Sequence, residues 1–306
     1  MVKVKTADFL VFMHLRISHL YSCGRLGTAR NYERASRSFE MYLGGRAVPF
    51  TDITDTLVDG YVSFLNGRGV SRNSISFYMR ILRAVYNRAV KMGLVSQAFP
   101  FDNAYTGVDR TCKRAVDEDI VSQLSRLNLA PGTSMAFARD LFIFSYCTRG
   151  MAFVDLAYLR KTDLRHGTIR YARRKTGQVM HVRIEPGIRM IIDRYAGACA
   201  DSVYVFPLLR ATDPESAYRQ YQSALNSYNR KLRKLSGMLP VACHLTSYTS
   251  RHSWATAARK HEVPVTIISA ALGHTSERTT QIYLDSIENS VIDSANRTVL
   301  AALWRV

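Results

Sequence analysis

Apolar residues recur at three- and four-residue intervals through most of the first hundred positions, a spacing that predicts amphipathic helices. The pattern predicts helices at residues 5–22, from a cap at Thr28, at about 54–66 and from Ser71 onward. The periodicity is lost between residues 94 and 116, which indicates a linker rather than a further packed helix.

The second half of the chain has a mixed pattern. Residues 134–159 predict a long helix, and residues 167–185 then change to a period of two around Lys175-Thr176-Gly177, which predicts a β-hairpin with its glycine in the turn. Helical spacing returns in three further segments, 187–197, 215–235 and 247–260, and then in short pieces. The predicted fold is mainly α with a small β-sheet: an all-helical domain at 1–97, a linker at 98–115 and a mixed α/β domain at 116–306.

The charge of the chain suggests its partner. Across 306 residues, Lys and Arg outnumber Asp and Glu by 42 to 24, a net charge of +18, while 47% apolar content allows a substantial core. A folded basic protein usually binds a polyanion, and nucleic acid is the first candidate. A membrane surface is a weaker one, because no segment has the pattern of a basic amphipathic anchor, a membrane span or a signal peptide.

Metal and cofactor chemistry have little support in the sequence. Five widely spaced cysteines include no CxxC pair, which argues against a zinc site or a disulfide framework and favours a reducing cytoplasm. There is no Walker A loop and no carboxylate cluster typical of a magnesium site. We therefore expect no cofactor and no metal, and any phosphate chemistry is expected to be metal-independent.

Two helices of the first half carry basic stripes that suit phosphate contacts. The candidate DNA-binding residues are Arg30, Arg34, Arg37, Arg72, Arg80 and Arg83. Either stripe alone could equally be a solvated helix face, and the overall positive charge favours DNA.

Five residues of the second half could together cleave a phosphodiester without metal. Such a reaction needs fixed cations around the phosphate, a nucleophile, and an acid for the leaving oxygen. The chain offers candidates in one order, namely Arg149, Lys175 at the hairpin tip, Arg251, His274 and Tyr283. Three of them also have a structural alternative: Arg149 could cap a helix end, Lys175 could be an ordinary turn lysine, and Tyr283 could simply pack on a helix.

This order resembles the tyrosine recombinase (phage integrase) family, which has an arginine in its first box, a lysine on a β-hairpin, an H-x-x-R-H box, an LGH box and then the tyrosine. RHSWATAA, starting at Arg251, is similar to the second of these boxes, and LGHTSERTTQIY, ending at Tyr283, matches the last over twelve residues. The resemblance spans about residues 113–290. The helical first half resembles the family's SAM-like core-binding domain only in outline.

The resemblance implies a role for each matching residue. Arg149 and Arg251 would clamp the phosphate, and Lys175 would protonate the 5′-hydroxyl leaving group. His274 would hydrogen-bond the scissile phosphate or help to manage the tyrosine proton. Tyr283 would attack, giving a 3′-phosphotyrosine that a second strand resolves through a Holliday junction.

Two departures from the family pattern affect the predicted site. Tyr248 occupies the position where the family usually has histidine or lysine, and a tyrosine there can donate a hydrogen bond but brings no cation. The first-box arginine is shifted relative to Asp155, so Arg149 is the candidate and Arg160 the nearest alternative. We expect Asp155 to orient an arginine rather than to do acid–base work.

The resemblance also implies an assembly and a target. We expect a homotetramer on two double-stranded DNA sites with short inverted repeats, a monomer or weak oligomer without DNA, and a cytoplasmic, nucleoid-associated enzyme of a bacterial mobile element or an invertase. No arm-binding domain is expected before residue 1. The amphipathic tail after Tyr283 could dock on a neighbouring subunit or on its own domain. A type IB topoisomerase-like enzyme and a catalytically silent DNA-binding protein are the rival functions.

Overall fold

The computed structural model describes residues 8–109, 115–274 and 276–284, without the side chains of Arg278, Ile282 and Tyr283. The chain forms two compact units, Met1–Thr111 and Cys112–Val306. The boundary between them falls within the segment expected to be a linker, and the domain limits 1–97 and 116–306 remain predictions. The tail after residue 284 lies outside the described residues.

Between residues 8 and 109 the first unit contains four α-helices. They are α1 (Phe9–Ser22), α2 (Leu26–Leu43), α3 (Asp55–Gly67) and α4 (Arg72–Lys91). Their apolar stripes meet in one core, where Phe9, Phe39 and Tyr61 pack edge to face. The predicted cap at Thr28 was wrong: the Ala29 N–H already bonds the Arg25 carbonyl at 2.9 Å, so α2 begins directly after the turn at Gly24.

The second unit contains eight helices and one sheet within its described residues. The helices are α5 (Glu118–Ser125), α6 (Ser134–Cys147), α7 (Phe153–Ala157), α8 (Pro186–Ala196), α9 (Pro214–Ser236), α10 (Thr249–Lys260), α11 (Val265–Leu272) and α12 (Glu277–Leu284). Their core includes Phe142 and Phe144 of α6 and Leu232 of α9. This mainly helical fold with a small sheet confirms the predicted fold class.

The predicted helix at 134–159 is in fact two helices separated by a break. Ser134–Cys147 and Phe153–Ala157 are helical, and between them Arg149 and Gly150 adopt left-handed backbone angles, with φ of 59° and 68°. A helix cannot continue through two such residues. Apolar spacing alone did not reveal the break, because buried aromatic residues lie on both sides of it, Phe144 before it and Phe153 after it.

The predicted β-hairpin is confirmed, with one additional short strand. The strands β1 (Leu164–Arg165), β2 (Thr168–Ala172) and β3 (Val179–Arg183) form an antiparallel sheet in that order. Ile169 pairs with Val182 and Tyr171 with Met180, so the apolar positions of both arms face the core. β1 is only two residues long, too short to leave a periodic signal.

Among the described residues, no helix is both long enough and apolar enough to span a membrane.

Candidate active site

Arg251 lies at the centre of the candidate site. It is on α10 and only 4% exposed, and its guanidinium donates to the Gly150 carbonyl at 2.8 Å and to the Leu272 carbonyl at 2.5 Å. The same Nη2 atom is 3.1 Å from Nε2 of His274. Burying an arginine is costly unless its donors are satisfied, and these contacts offset that cost while fixing the cation in one orientation.

The C-terminal end of α11 anchors two arginines. Arg251 binds the carbonyl of Leu272, and Nη1 of the buried Arg173 donates to the carbonyl of Gly273. Carbonyls at a helix C-terminus lack intrahelical partners and carry the negative end of the helix dipole, so cations are stabilised there.

Glycine is required immediately before His274. Gly273 closes α11 in the left-handed region with φ of 64°. A Cβ built there would lie 2.7 Å from Sδ of Met180 and 2.8 Å from Cδ of Arg173, closer than side chains pack. The glycine therefore brings the turn carrying His274 against the β-hairpin.

His274 is held in its neutral form. Its Nε2 faces a guanidinium nitrogen, which can only donate, so this ring nitrogen must be the acceptor. Nδ1 then carries the proton and donates to Oγ1 of Thr280 at 2.8 Å. Burial lowers the pKa of His274 to about 4, and the positive charges of Arg251, Arg173 and Lys175 lower it in the same direction.

The break between α6 and α7 brings the backbone next to Arg149 into contact with Arg251. Gly150 follows Arg149 directly, accepts a hydrogen bond from Arg251, and leaves no room for a side chain: a Cβ would lie 2.7 Å from Cα of Arg251. The end of α6 just before the break is tied to α10 by a 2.7 Å hydrogen bond between the hydroxyls of Ser145 and Ser250. Arg149 itself is partly exposed. Its positive charge opposes the rise that burial causes in the pKa of Tyr171.

The hairpin tip presents three cations in different environments. Arg173 is buried, Arg174 lies over the Tyr158 ring at 3.8 Å, and Lys175 is exposed. Lys175 is close enough to His274 for its charge to contribute to the lowered pKa of that ring. The turn that the sequence predicts thus carries Lys175 towards the His274 side of the unit.

Asp155 contacts the hairpin and not a catalytic atom. One carboxylate oxygen accepts the Arg174 backbone N–H at 2.8 Å, and the other lies 3.9 Å from Nε of Arg173. Burial raises the pKa of the Asp155 carboxyl, while the Arg174 N–H and the neighbouring cations oppose that rise. These contacts are those of a residue that orients an arginine.

The sequence singles out two tyrosines, Tyr248 and Tyr283, which lie in different segments of the second unit. Tyr248 is the residue before α10, 48% exposed, three positions before Arg251. Tyr283 is in α12, three positions after Thr280, and its side chain lies outside the described atoms. Arg160, the alternative to Arg149, is exposed at the turn after α7, with its backbone paired to Tyr204.

The candidate DNA-binding arginines all lie in the first unit. Arg34, Arg37 and Arg80 are exposed and Arg30 and Arg83 are partly exposed, on α2 and α4. Arg37 lies 4.0 Å from an oxygen of Glu33. Arg72 has two partners, because its guanidinium lies 3.9 Å from the centre of the Tyr105 ring and 3.4 Å from an oxygen of Asp109. Its charge is partly neutralised within its own unit.

No group of three or more His, Cys, Asp or Glu side chains that could hold a metal ion occurs in the part of the chain that the structure describes.

Three residues of this site were not predicted from sequence. Arg173 was detectable, since alternation from Ile169 and Tyr171 places it on the inward face, and its N–H continues the ladder to the Gln178 carbonyl at 2.8 Å. Gly150 and Thr280 left no such signal, because their importance depends on contacts with Arg251 and His274.

Two family models match the chain. The phage integrase SAM-like domain matches residues 8–105, and the phage integrase family matches residues 122–289. The second match contains the whole α6–α12 region described above, including every candidate catalytic residue.

Two relatives match over most of their length. Tyrosine recombinase XerC of Agrobacterium fabrum is 25% identical over 272 residues, 84% of this chain and 82% of the relative. A tyrosine recombinase of Pseudothermotoga lettingae is 22% identical over 273 residues, 85% of this chain and 88% of the relative.

Solved structures share the fold. A lambda integrase dimer bound to a core site superposes with a TM-score of 0.67 at 16% identity, covering 89% of this chain and 94% of the other. The Tn1549 transposon integrase in complex with transposon right end DNA gives 0.66 at 14% identity, covering 96% and 99%.

Proposed function

The chain belongs to the phage integrase family and is a tyrosine-type site-specific DNA recombinase, and from that premise we propose that Tyr283 is its nucleophile. The observation that carries this assignment is the fixed cation at Arg251, bound by two backbone carbonyls and by His274. α12, which contains Tyr283, is joined to His274 through Thr280. The nucleophile is therefore on a helix anchored to the cation that its chemistry requires.

The first step requires positive charge at the phosphate. The phosphodiester gains negative charge as a fifth oxygen approaches, and preorganised cations stabilise that charge without reorganising. Arg251 provides one cation, and Arg149 on the adjoining turn provides the second. Arginine suits both positions because its fork matches phosphate oxygens and remains charged. Tyr248, exposed beside Arg251, is assigned a hydrogen bond to the same phosphate.

Proton transfers complete the step. The phenol oxygen of Tyr283 forms a bond to phosphorus, and the bond from phosphorus to the 5′ oxygen breaks. The phenol proton is released to water, because the pKa of His274, lowered to about 4, disfavours a second proton on its ring. His274 stays neutral and holds the Arg251 guanidinium through Nε2. Lys175 gives a proton to the departing 5′ oxygen, and its exposed position at the hairpin tip suits this role. A 5′-hydroxyl from another strand then reverses the reaction on a new partner.

The substrate and assembly follow from the same premise. We assign core-site binding to residues 1–97, linkage to 98–115 and catalysis to 116–306, with Arg34, Arg37 and Arg80 as exposed phosphate contacts. We also assign to the protein short inverted-repeat sites, a tetramer on two DNA segments and a place at the nucleoid in the cytoplasm. The net charge of +18 supports a DNA partner. The likeness to lambda integrase, of which one structure is a tetramer bound to a Holliday junction, supports the tetramer.

Covalent trapping in cells tests the proposal. The protein is expressed in a bacterial host carrying the DNA that flanks its reading frame, cells are denatured rapidly, and protein-linked DNA ends are sequenced. We expect ends clustered at a short inverted repeat, lost in Tyr283→Phe and kept in Tyr248→Phe. Adducts that persist in Tyr283→Phe would overturn the assignment. Specific DNA binding without any adduct would instead favour a catalytically silent DNA-binding protein.

A further inference from the structure

Thr280 makes a polar contact that no predicted role accounts for. It is fully buried on α12, and its hydroxyl oxygen lies 2.8 Å from Nδ1 of His274. Its neighbour Thr279 is exposed on the same helix. Thr280 also precedes Tyr283 by three residues, nearly one turn of the helix.

Arg251 selects which nitrogen of His274 carries the proton, and the Thr280 contact supports that choice. A neutral imidazole has one N–H and one acceptor nitrogen, and the guanidinium of Arg251 can donate but cannot accept. The acceptor must therefore be Nε2, which faces Arg251 at 3.1 Å. Nδ1 then needs an acceptor of its own, and the Thr280 hydroxyl oxygen is positioned to be that acceptor.

We propose that Thr280 is a positioning residue that fixes the Nδ1–H tautomer of His274 and joins the helix carrying Tyr283 to the phosphate-binding arginine. The resulting chain of contacts runs from Gly150 through Arg251 and His274 to Thr280. The catalytic part of this proposal rests on the proposed function, whereas the tautomer part does not.

The other tautomer would impair the site in two ways. An Nε2–H group would point a donor at the Arg251 guanidinium, so the contact between the two side chains would become repulsive. The unprotonated nitrogen would then face Thr280 and not the arginine. The Thr280 hydroxyl would have to donate to Nδ1 instead of accepting from it, and the Arg251 guanidinium would lose Nε2 as an acceptor.

The test compares two threonines that are adjacent in sequence. Thr280→Val keeps the shape of the side chain and removes the oxygen, Thr280→Ser restores the oxygen, and Thr279→Val makes the same change at the exposed position. Each full-length variant is assayed for single-turnover cleavage of the recombination site recovered by trapping, for affinity to that DNA, and for the nitrogen-15 shifts of its histidine rings. The His274 signal is assigned by its loss in His274→Asn.

The proposal predicts that Thr280→Val slows cleavage about tenfold, as loss of one buried hydrogen bond would, with DNA affinity unchanged. Its His274 signal should move from the Nδ1–H pattern towards a mixture of tautomers. Thr280→Ser and Thr279→Val should match the unmodified protein in both readouts. Should Thr280→Val fold poorly, Thr280→Ala compared with Thr280→Ser gives the same contrast.

Two results would overturn the proposal. One is an Nδ1–H pattern that survives in Thr280→Val, and the other is an equal loss of cleavage in Thr279→Val. If the unmodified protein cleaves no DNA, the proposed function fails, and the nitrogen-15 shifts still decide whether Thr280 fixes the tautomer.

Discussion

Gly150 offers a sharp test of how closely the helix break approaches Arg251. An alanine there would adopt φ of 68°, which costs a side-chain-bearing residue about 1–2 kcal/mol. Its Cβ would also lie 2.7 Å from Cα of Arg251 and 2.9 Å from its Cβ and Cγ. Because the nearest of these atoms is backbone, the strain cannot be relieved by a rotamer change, and overpacking adds about 1–3 kcal/mol.

Gly132 is the matched control for this substitution. It has a similar φ of 75°, lies in the same unit, and has no atom within 4 Å of the added Cβ. Gly132→Ala should therefore cost only the backbone part, about 1–2 kcal/mol. Gly150→Ala should cost about 1–3 kcal/mol more than that.

The assay is urea unfolding followed by tryptophan fluorescence. Trp254 lies on α10, so its fluorescence reports the unfolding of the unit that holds both glycines. Gly150→Ala should also lose single-turnover DNA cleavage while Gly132→Ala keeps it, because only the first displaces Arg251. Equal unfolding free energies for the two variants, with cleavage intact in both, would refute the close approach.

Three further predictions concern charge. Arg173→Gln should lower the free energy of unfolding by about 3 kcal/mol in the same assay, because it leaves the buried carboxylate of Asp155 without its cation. The exposed Arg174 is the control, and Arg174→Gln should cost less than about 1 kcal/mol; similar losses for both variants would contradict the prediction. Above the unfolded histidine pKa, neutral His274 contributes fully to the free energy of unfolding, and this contribution should fall by about 1–2 kcal/mol as pH drops through the folded pKa of about 4, with solvent screening of the half-buried ring included. His274→Asn should flatten this dependence of the unfolding free energy on pH, and an unchanged slope in that variant would contradict the prediction. Arg80→Gln should reduce the slope of log DNA affinity against log salt concentration by about one counterion. Arg72→Gln should reduce it by less, because Asp109 and Tyr105 already partly neutralise the charge of Arg72, and a larger effect at Arg72 would contradict this ranking.

The sequence predicted those parts of the site that depend on local pattern. The period-two alternation and the glycine turn were enough to place Lys175 at a hairpin tip, and helical spacing placed Arg251 on α10. Both features are set by neighbouring residues along the chain, so they can be read without tertiary contacts.

The parts that escaped prediction depend on distant segments meeting. The break at Arg149 and Gly150 interrupts an apolar pattern that otherwise reads as one helix, and its geometry is imposed by Arg251, a hundred residues later. Thr280 is one of two adjacent threonines, and only the approach of His274 distinguishes it from Thr279. Helix propensity and the spacing of apolar residues carry no information about such tertiary contacts.

The most direct test of the central claim is to identify the residue that becomes linked to DNA. Purified protein is incubated with its recovered site, the adduct is trimmed with nuclease and digested with trypsin, and the modified peptide is sequenced by mass spectrometry. Trypsin separates the two tyrosines of interest, with Tyr283 in residues 279–297 and Tyr248 in 235–251. We expect a nucleotide linked through its 3′-phosphate to Tyr283. The same linkage on Tyr248 or on any other residue would contradict the assignment of Tyr283 as the nucleophile.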